Sequence, residues 1–554
     1  MIRDYLDQSC DHHHHADLCI IGAGPAGIAI AKAFVGSRCR VLLLESGGLE
    51  TERRSQALNE GTSVGPIHLD PARTRLRAFG GSCRLWGGGC IPLSRLDVEP
   101  RAWVPHSGWP IDYEELERYC RLALGLCAIE GEAPGQVHPA NGGRRRTGLD
   151  PGLLVDRLYS QSPVFFGETY RDMLAQSSNV ELLLHANLLE LVHDANDGRI
   201  ESARIGNIDG RCGTVHARHY VLAAGGLENP RVLLLSNSAA PAGLGNDHGL
   251  VGRYFMDHPR CVAGSLVAGP ADRVLRRYTR EGKPSTTRTH AEISLSDDAQ
   301  RRLGVLNGRA RPYPVPRPTP PGVQALRDLR ASLRAPPASR ETEVDCDVMA
   351  GLNHGIPEPA TPAPPGTEPR SRLALRMALH GTDVAKAALR RMCGRPSVGS
   401  ERVDVMAYFE QAPNPDSRVR LGSRLDPLGQ RSIEVDWRPT PLDLDSYRVS
   451  SAVFGQQLAR HCRARFEPAA WLTDPSVLPA FHSTAHHIGT TRMADNAREG
   501  VVDRHCRVHG IENLHVAGSS VFPTGGWAFP TLTIVALALR LADRLKPALE
   551  ISGL

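Results

Sequence analysis

Three patterns of apolar and polar positions recur along the chain. Short unbroken apolar runs at Leu18 to Ile21, Val41 to Leu44 and Tyr220 to Ala224 predict strands buried on both faces of a parallel sheet. Alternating runs at Val403 to Phe409 and Val419 to Leu421, with Ile433 to Trp437 as a third, predict an antiparallel sheet of its own. Asn179 to Leu191 is strand-like and leads into a hairpin around Asp197-Gly198. Helical periodicity marks Ile28 to Phe34, the stretch after Asp112, Val323 to Leu333, a basic run from Leu373 to Met392 and the terminal stretch from Pro530 to Leu545. Asp112 with Glu115 three residues on predicts a capping box.

Between these elements, residues 129–150 are rich in Gly, Pro and Arg and predict a surface excursion. Proline is dense from Arg309 to Arg370, which predicts an irregular lid that does not pack as sheet. The basic run at 373–392 fits a solvated face over a site entrance. Gly80, Gly81, Gly87, Gly88 and Gly89 crowd around Ser82 and Trp86. Glycine disfavours helix by about 1 kcal/mol per position, so the segment predicts close backbone approach to a flat ligand.

The first strand runs into Gly22-x-Gly24-x-x-Gly27 and a helix, and the second ends at Glu45. In that order, the glycines permit a tight turn, approach of backbone to a diphosphate, and close helix packing, while the carboxylate accepts from a ribose. A dinucleotide site is the expectation. The terminal eighty residues carry S-T-A-H-H-I-G-T-T-R-M at Ser483 to Met493 and F-P-T-L-T at Phe529 to Thr533.

Charge adds little. Lys and Arg outnumber Asp and Glu by 65 to 60 without a basic arm, so nucleic acid is not expected as a partner. Thirteen scattered cysteines, without zinc spacing, a signal core or an apolar run long enough to span a bilayer, predict reduced thiols in a cytoplasmic protein. His12 to His15 read as an incidental cluster on a mobile tail.

These motifs, together with A-A-G-G-L-E-N-P from Ala223, F-M-D-H-P from Phe255 and E-Q-A-P-N-P-D-S-R-V-R-L from Glu410, resemble the glucose-methanol-choline (GMC) flavin oxidoreductases, in the branch of pyranose oxidase-like and fructose or gluconate dehydrogenase-like proteins. The resemblance implies an α/β fold: a Rossmann-type FAD-binding domain (1–97, 178–260 and 478–554), a helical excursion (98–177), and a substrate domain on an antiparallel sheet (261–477), as in p-hydroxybenzoate hydroxylase-like proteins. It implies FAD contacting Gly22, Gly24, Gly27, Glu45, Gly80, Gly81, Ser82, Trp86, Gly87, Gly88, Leu188, Gly225, Gly518, Pro530, Thr531 and Leu532. Where some members attach flavin to a histidine, this chain has Leu85, which excludes attachment there; Cys83 and Cys90 are expected to be unreacted thiols.

The family's catalytic histidine falls on His486, the expected base for a hydroxyl proton as hydride leaves for the flavin. His487 is expected to point away and bond to backbone. The family's second histidine or asparagine is here Phe529, which can neither donate nor accept, so His482, Gln411 or His258 is expected to substitute unless the substrate needs one base. The implied activity is oxidation of a CH–OH group of a sugar, glycoside, cyclitol or hydroxylated natural product, with dioxygen or a separate acceptor reoxidising the flavin. The open alternatives are a dehydrogenation or oxidative cyclisation of an apolar substrate and a flavin-binding partner protein without turnover. Without a CxxCH motif, any electron-transfer haem lies in another protein.

Overall fold

The computed structural model describes residues 1–7, 9–130, 137–138, 149–194, 197–268, 278, 288–333, 342–345, 348–349, 368–393 and 397–550. Most of the 129–150 excursion and the middle of the 309–370 segment lie outside them.

The unbroken apolar runs form the centre of the first sheet. Its order is Ile2–Asp4, Val180–Leu184, Val41–Leu44, His13–Ile21 and Cys212–Leu222, all parallel, continued by Arg199–Gly206 and Asn187–Asp194 as an antiparallel wing. Leu514–Val516 adds in parallel beside Cys212–Leu222, so the chain returns to this sheet from both later parts. Helix Pro25–Ala33 follows the glycine turn, and the terminal helix Pro530–Glu550 packs against it. The histidine cluster is not a mobile tail: His13, His14 and His15 pair with Thr214, Val215 and His216. The long partner strand extends pairing beyond the apolar seed, and His15 stacks on His216 at 5.5 Å.

The second sheet is antiparallel, in the order Arg465–Pro468, Arg260–Val267, Ser400–Phe409, Gly308–Pro316, Arg288–Leu295, Leu154–Gln161 and Gly89–Cys90. Leu154–Gln161 thus joins the excursion at 98–177 to this sheet. Helix Pro441–Cys462, opened by a Thr440/Asp443 capping box, covers the sheet and closes a second core around Phe409, Tyr447 and Phe454.

Several expectations need correction. The proline-dense segment does pack as sheet at its start, where Gly308–Pro316 pairs with Ser400–Phe409 throughout. Pro312, Pro314 and Pro316 alternate, so their missing donors fall on one edge, and pairing with Arg288–Leu295 is confined to Arg309 and Ala310. The expected single antiparallel sheet is split: Arg418–Leu425 and Arg431–Asp436 form a small separate sheet with Gly61–Ser63. The basic run is two helices, Arg370–Leu379 and Gly381–Met392, broken at His380. Asp112 precedes helix Tyr113–Leu126 without capping it by a side-chain bond. Glu115 instead reaches Arg540 at 2.9 Å and Arg544 at 3.2 Å on the terminal helix, where two guanidinium groups outcompete one backbone amide.

Candidate active site

A cleft of about 510 Å³ runs between the two large sheets, within the size range of small-molecule and cofactor sites. Of the glycines predicted to meet a cofactor, Gly22, Gly24, Gly81, Gly87, Gly225 and Gly518 line it, together with Glu45, Ser82, Trp86, Pro530 and Thr531. Gly27 lies behind the turn, where a Cβ would stand 1.9 Å from the Gly22 carbonyl oxygen, so its role is packing. Gly80, Gly88 and Leu532 support the wall without lining it, and Leu188 sits buried in the antiparallel wing away from it.

These residues fit an FAD. Gly24 precedes the helix with no side-chain cap, and a Cβ there would meet nothing within 4 Å, so the first-turn amides face open space suited to a diphosphate. Glu45 is buried at its strand end, its carboxylate accepting from Ala23 N at 3.0 Å and Gly47 N at 2.9 Å. Burial pushes its pKa up against these bonds. The glycine-rich segment docks through Gly80 N on the Ala23 carbonyl at 2.9 Å, and Trp86 Nε1 donates to Val164 O at 2.8 Å. Cys83 is buried with its thiol pushed up to about 12, and a bond to Cys127 together with burial raises Cys90, so both are poor nucleophiles. Thr51 bonds to Asp345 at 3.0 Å, and Val348 and Met349 line the cleft, so part of the proline-dense segment contributes to its wall.

At the far end the turn Ser483–His487 is organised by Asp257. This carboxylate, wholly buried, accepts from Ser483 Oγ, from Thr484 Oγ1 at 2.8 Å and from His486 N at 3.1 Å. Burial alone would raise it, yet His487, His486 and the Ser483 bond hold it below the ordinary carboxylate value. Ala485 is held at φ +58°, a left-handed conformation that costs about 1–3 kcal/mol. Its amide is satisfied by Ser483 Oγ at 2.9 Å.

His486 lines the cleft, and its Nδ1 lies 2.9 Å from His258 Nδ1 and 3.2 Å from Thr484 Oγ1. The Thr484 hydroxyl donates to Asp257, so toward His486 it can only accept. We therefore assign the His486 proton to Nδ1, which leaves Nε2 with a free lone pair. Burial, and then the neighbouring His258, hold His486 well below its ordinary pKa, so it is neutral and ready to accept a proton.

The expected substitutes for the second polar residue separate. His258 backs His486 from behind and does not line the cleft. Gln411 is structural, accepting from Asp257 N at 3.1 Å and Trp437 Nε1 at 2.8 Å and donating to Arg438 O. His482 engages Arg260 through backbone bonds at the rim. His487 is not bonded to backbone through its ring as expected: its Nε2 is buried without a hydrogen-bond partner among the described residues, and its carbonyl accepts from Ser519 Oγ at 2.6 Å.

Phe529 stands 6.2 Å from the His486 ring, under the Arg309 guanidinium at 4.8 Å. A Cβ at Gly89 would lie 2.6 Å from the phenyl, so the glycine strand and this ring are fitted to each other. Arg309, Arg311, Tyr408 and Tyr159 were missed from sequence. The available signal was the spacing of Arg309, Arg311 and Tyr313, which puts all three on one face of a strand, but the intervening prolines argued against a strand there.

Residues 413–538 match the family described as GMC oxidoreductase. The chain is 25% identical to the fructose dehydrogenase large subunit of Gluconobacter japonicus, over 95% of this chain and 97% of that one. It is 24% identical to a 6'''-hydroxyparomomycin C oxidase of Streptomyces lividus, over 95% and 90%. The structure of pyridoxine 4-oxidase from Mesorbium loti superposes with a TM-score of 0.56 at 18% identity, over 96% of this chain and 99% of that one. The chain is thus similar to the GMC oxidoreductases over residues 413–538 and is an FAD-dependent enzyme acting on CH–OH groups. Among the described residues no helix is long and apolar enough to cross a membrane.

Proposed function

We propose that this enzyme oxidises a carbinol of a polyhydroxylated, sugar-like substrate, with His486 Nε2 as the base. When bound, FAD supplies the hydride acceptor. The alcohol then loses a hydride from carbon and a proton from oxygen, and a carbonyl forms. The protein orients the hydroxyl at His486, keeps that imidazole neutral, and surrounds the carbon with the Gly89 and Phe529 wall. The observation that carries the proposal is the chain of bonds from Asp257 through Thr484 to His486 Nδ1, which fixes the tautomer a base requires. The apolar-substrate alternative loses support because arginine and tyrosine side chains line the cleft beside Phe529.

We take 1–97, 178–260 and 478–554 as the FAD domain and 261–477 as the substrate domain, to which Leu154–Gln161 adds a strand from the 98–177 excursion. Dioxygen or a separate acceptor protein returns the flavin to its oxidised form. A cytoplasmic location is supported by the mostly buried free thiols among the described residues.

The test is product analysis with donors deuterated at the carbinol carbon. A carbonyl product and a several-fold slower flavin reduction with the deuterated donor support carbinol oxidation; a product oxidised elsewhere overturns it.

A further inference from the structure

The catalytic end of the cleft is positively charged in a way that alcohol oxidation alone does not require. Arg260 and Tyr408 are cross-strand partners, as are Tyr408 and Arg309, so the three lie in one row on the cleft face of the second sheet. Arg311 and Tyr313 follow on the same face, and all five line the cleft.

Among the described residues, the carboxylate that reaches Arg309 and Arg311 is Glu292. Glu292 is buried and pairs with Arg309 at 3.0 Å. Asp257 is engaged with the Ser483–His487 turn behind the imidazoles. The carboxylates lining the cleft, Glu45 and Glu228, belong to its cofactor end, where Arg75 and Arg231 bond Glu228 at 2.8 and 2.7 Å.

Arg309 has a structural task, lying 3.9 Å from the centroid of Tyr408 and 4.8 Å from that of Phe529. Arg311 has no hydrogen bond or ion pair among the described residues, only the Tyr313 ring 5.4 Å away. Burial works against its charge, but Tyr313 and Glu292 keep it protonated. Arg260 also lines the cleft, and burial lowers its pKa. Bidentate recognition of an oxyanion is what such a planar donor fork offers.

We infer that the substrate is an anion, a hydroxylated compound whose carboxylate or phosphate is held by Arg311, on the sheet face it shares with Arg260 and Arg309, while its carbinol faces His486. This rests on the carbinol-oxidation reading. It narrows the substrate class from neutral sugars to uronate-like or phosphorylated ones, and it excludes amino sugars as preferred donors, because an ammonium group would meet guanidinium groups. Charge steering into such a cleft adds to the binding preference and is screened by salt.

The experiment compares donors matched in all but charge on the holoenzyme: a hexose, its uronate, its 6-phosphate and its 2-amino form. Anaerobic flavin reduction is expected with a kcat/KM about 10- to 100-fold higher for one or both anions than for the hexose, the preference shrinking as salt is raised. Uronate against phosphate decides between the two oxyanions. Arg311→Gln should collapse the anion-to-neutral ratio and Arg311→Lys should retain part of it. As a readout apart from turnover, titration with a non-oxidisable carboxylate and with inorganic phosphate should perturb the flavin absorbance of the wild type, and more weakly that of Arg311→Gln. A preference for the hexose or the amino sugar, or an unchanged ratio in folded Arg311→Gln, overturns the anion assignment and leaves carbinol oxidation standing. Failure of every donor to reduce a flavin that dithionite reduces would instead undo the carbinol reading itself.

Discussion

His258 and His486 meet through their Nδ1 atoms at 2.9 Å, an imidazole pair in which one ring must donate and the other accept. The second proton that would make both donors is disfavoured by burial and by the charge of His258 on His486. On the proposed mechanism His258 is a positioning residue. His258→Gln should lower kcat by up to about 10²-fold through misplacement of His486. It should also move the acid limb of the kcat profile upward in pH, because a like charge that depresses His486 is gone. A merely structural loss would lower the rate without moving that limb.

The same depressed imidazoles set the response to acid. His258 and His487 are lowered by burial to about 4, against an ordinary 6.5 in the unfolded chain. Between those values the unfolded state takes up protons that the folded state refuses, so stability falls as pH falls from 6.5 toward 4. Asp257, held below its ordinary value, loses its contribution further down. Thermal melts should show a lower Tm at pH 5 than at pH 7.5, while kcat stays flat through pH 6.5. An acid limb at 6.5 or above would contradict a depressed His486 as the base.

Two glycines three residues apart should behave differently. A Cβ at Gly24 meets open cleft, whereas one at Gly27 meets the Gly22 carbonyl. Gly24→Val should fold with a near-normal melt but lose flavin on purification. Gly27→Ala should lower Tm as well, since backbone cannot move aside cheaply. Flavin content and melting of the two variants check this, and equal Tm losses would refute it.

Phe529 is held by Arg309 and by Tyr159, whose ring lies edge-on at 5.3 Å. Phe529→Asn should cost about 1–3 kcal/mol through lost cation–π and aromatic contact. It should shift donor preference toward neutral polyols by supplying a polar group beside His486. Denaturant melts and donor panels read the two effects separately.

Arg101 and Glu410 are wholly buried and paired, with Nη1 donating to Oε2 at 2.7 Å. They tie the 98–177 excursion to the end of strand Ser400–Phe409. Arg101→Met leaves the carboxylate uncompensated and should destabilise by about 3–5 kcal/mol. The double change with Glu410→Leu should recover much of that loss in a denaturant titration.

What could be read from sequence follows from how local each signal is. The strand, glycine turn and helix at Leu18 to Phe34 are specified by neighbours in sequence, and the structure keeps them. That His486 would face the cleft was legible because its motif is contiguous. His258's partnership with it spans 228 positions and leaves no local mark. The strand Gly308–Pro316 was hidden because proline frequency suppresses a strand reading, although alternate prolines cost nothing on an edge without a partner. Asp112 and Glu115 had the spacing of a box, but Arg540, far away in sequence, claimed the glutamate.

The most direct measurement is anaerobic mixing of the holoenzyme with carbinol donors while oxidised flavin absorbance is followed, in wild type and in His486→Ala. Bleaching in the wild type, slowed about 10²- to 10⁴-fold in a variant that still binds FAD, is the predicted result. Equal bleaching in both would show that His486 does not take the proton.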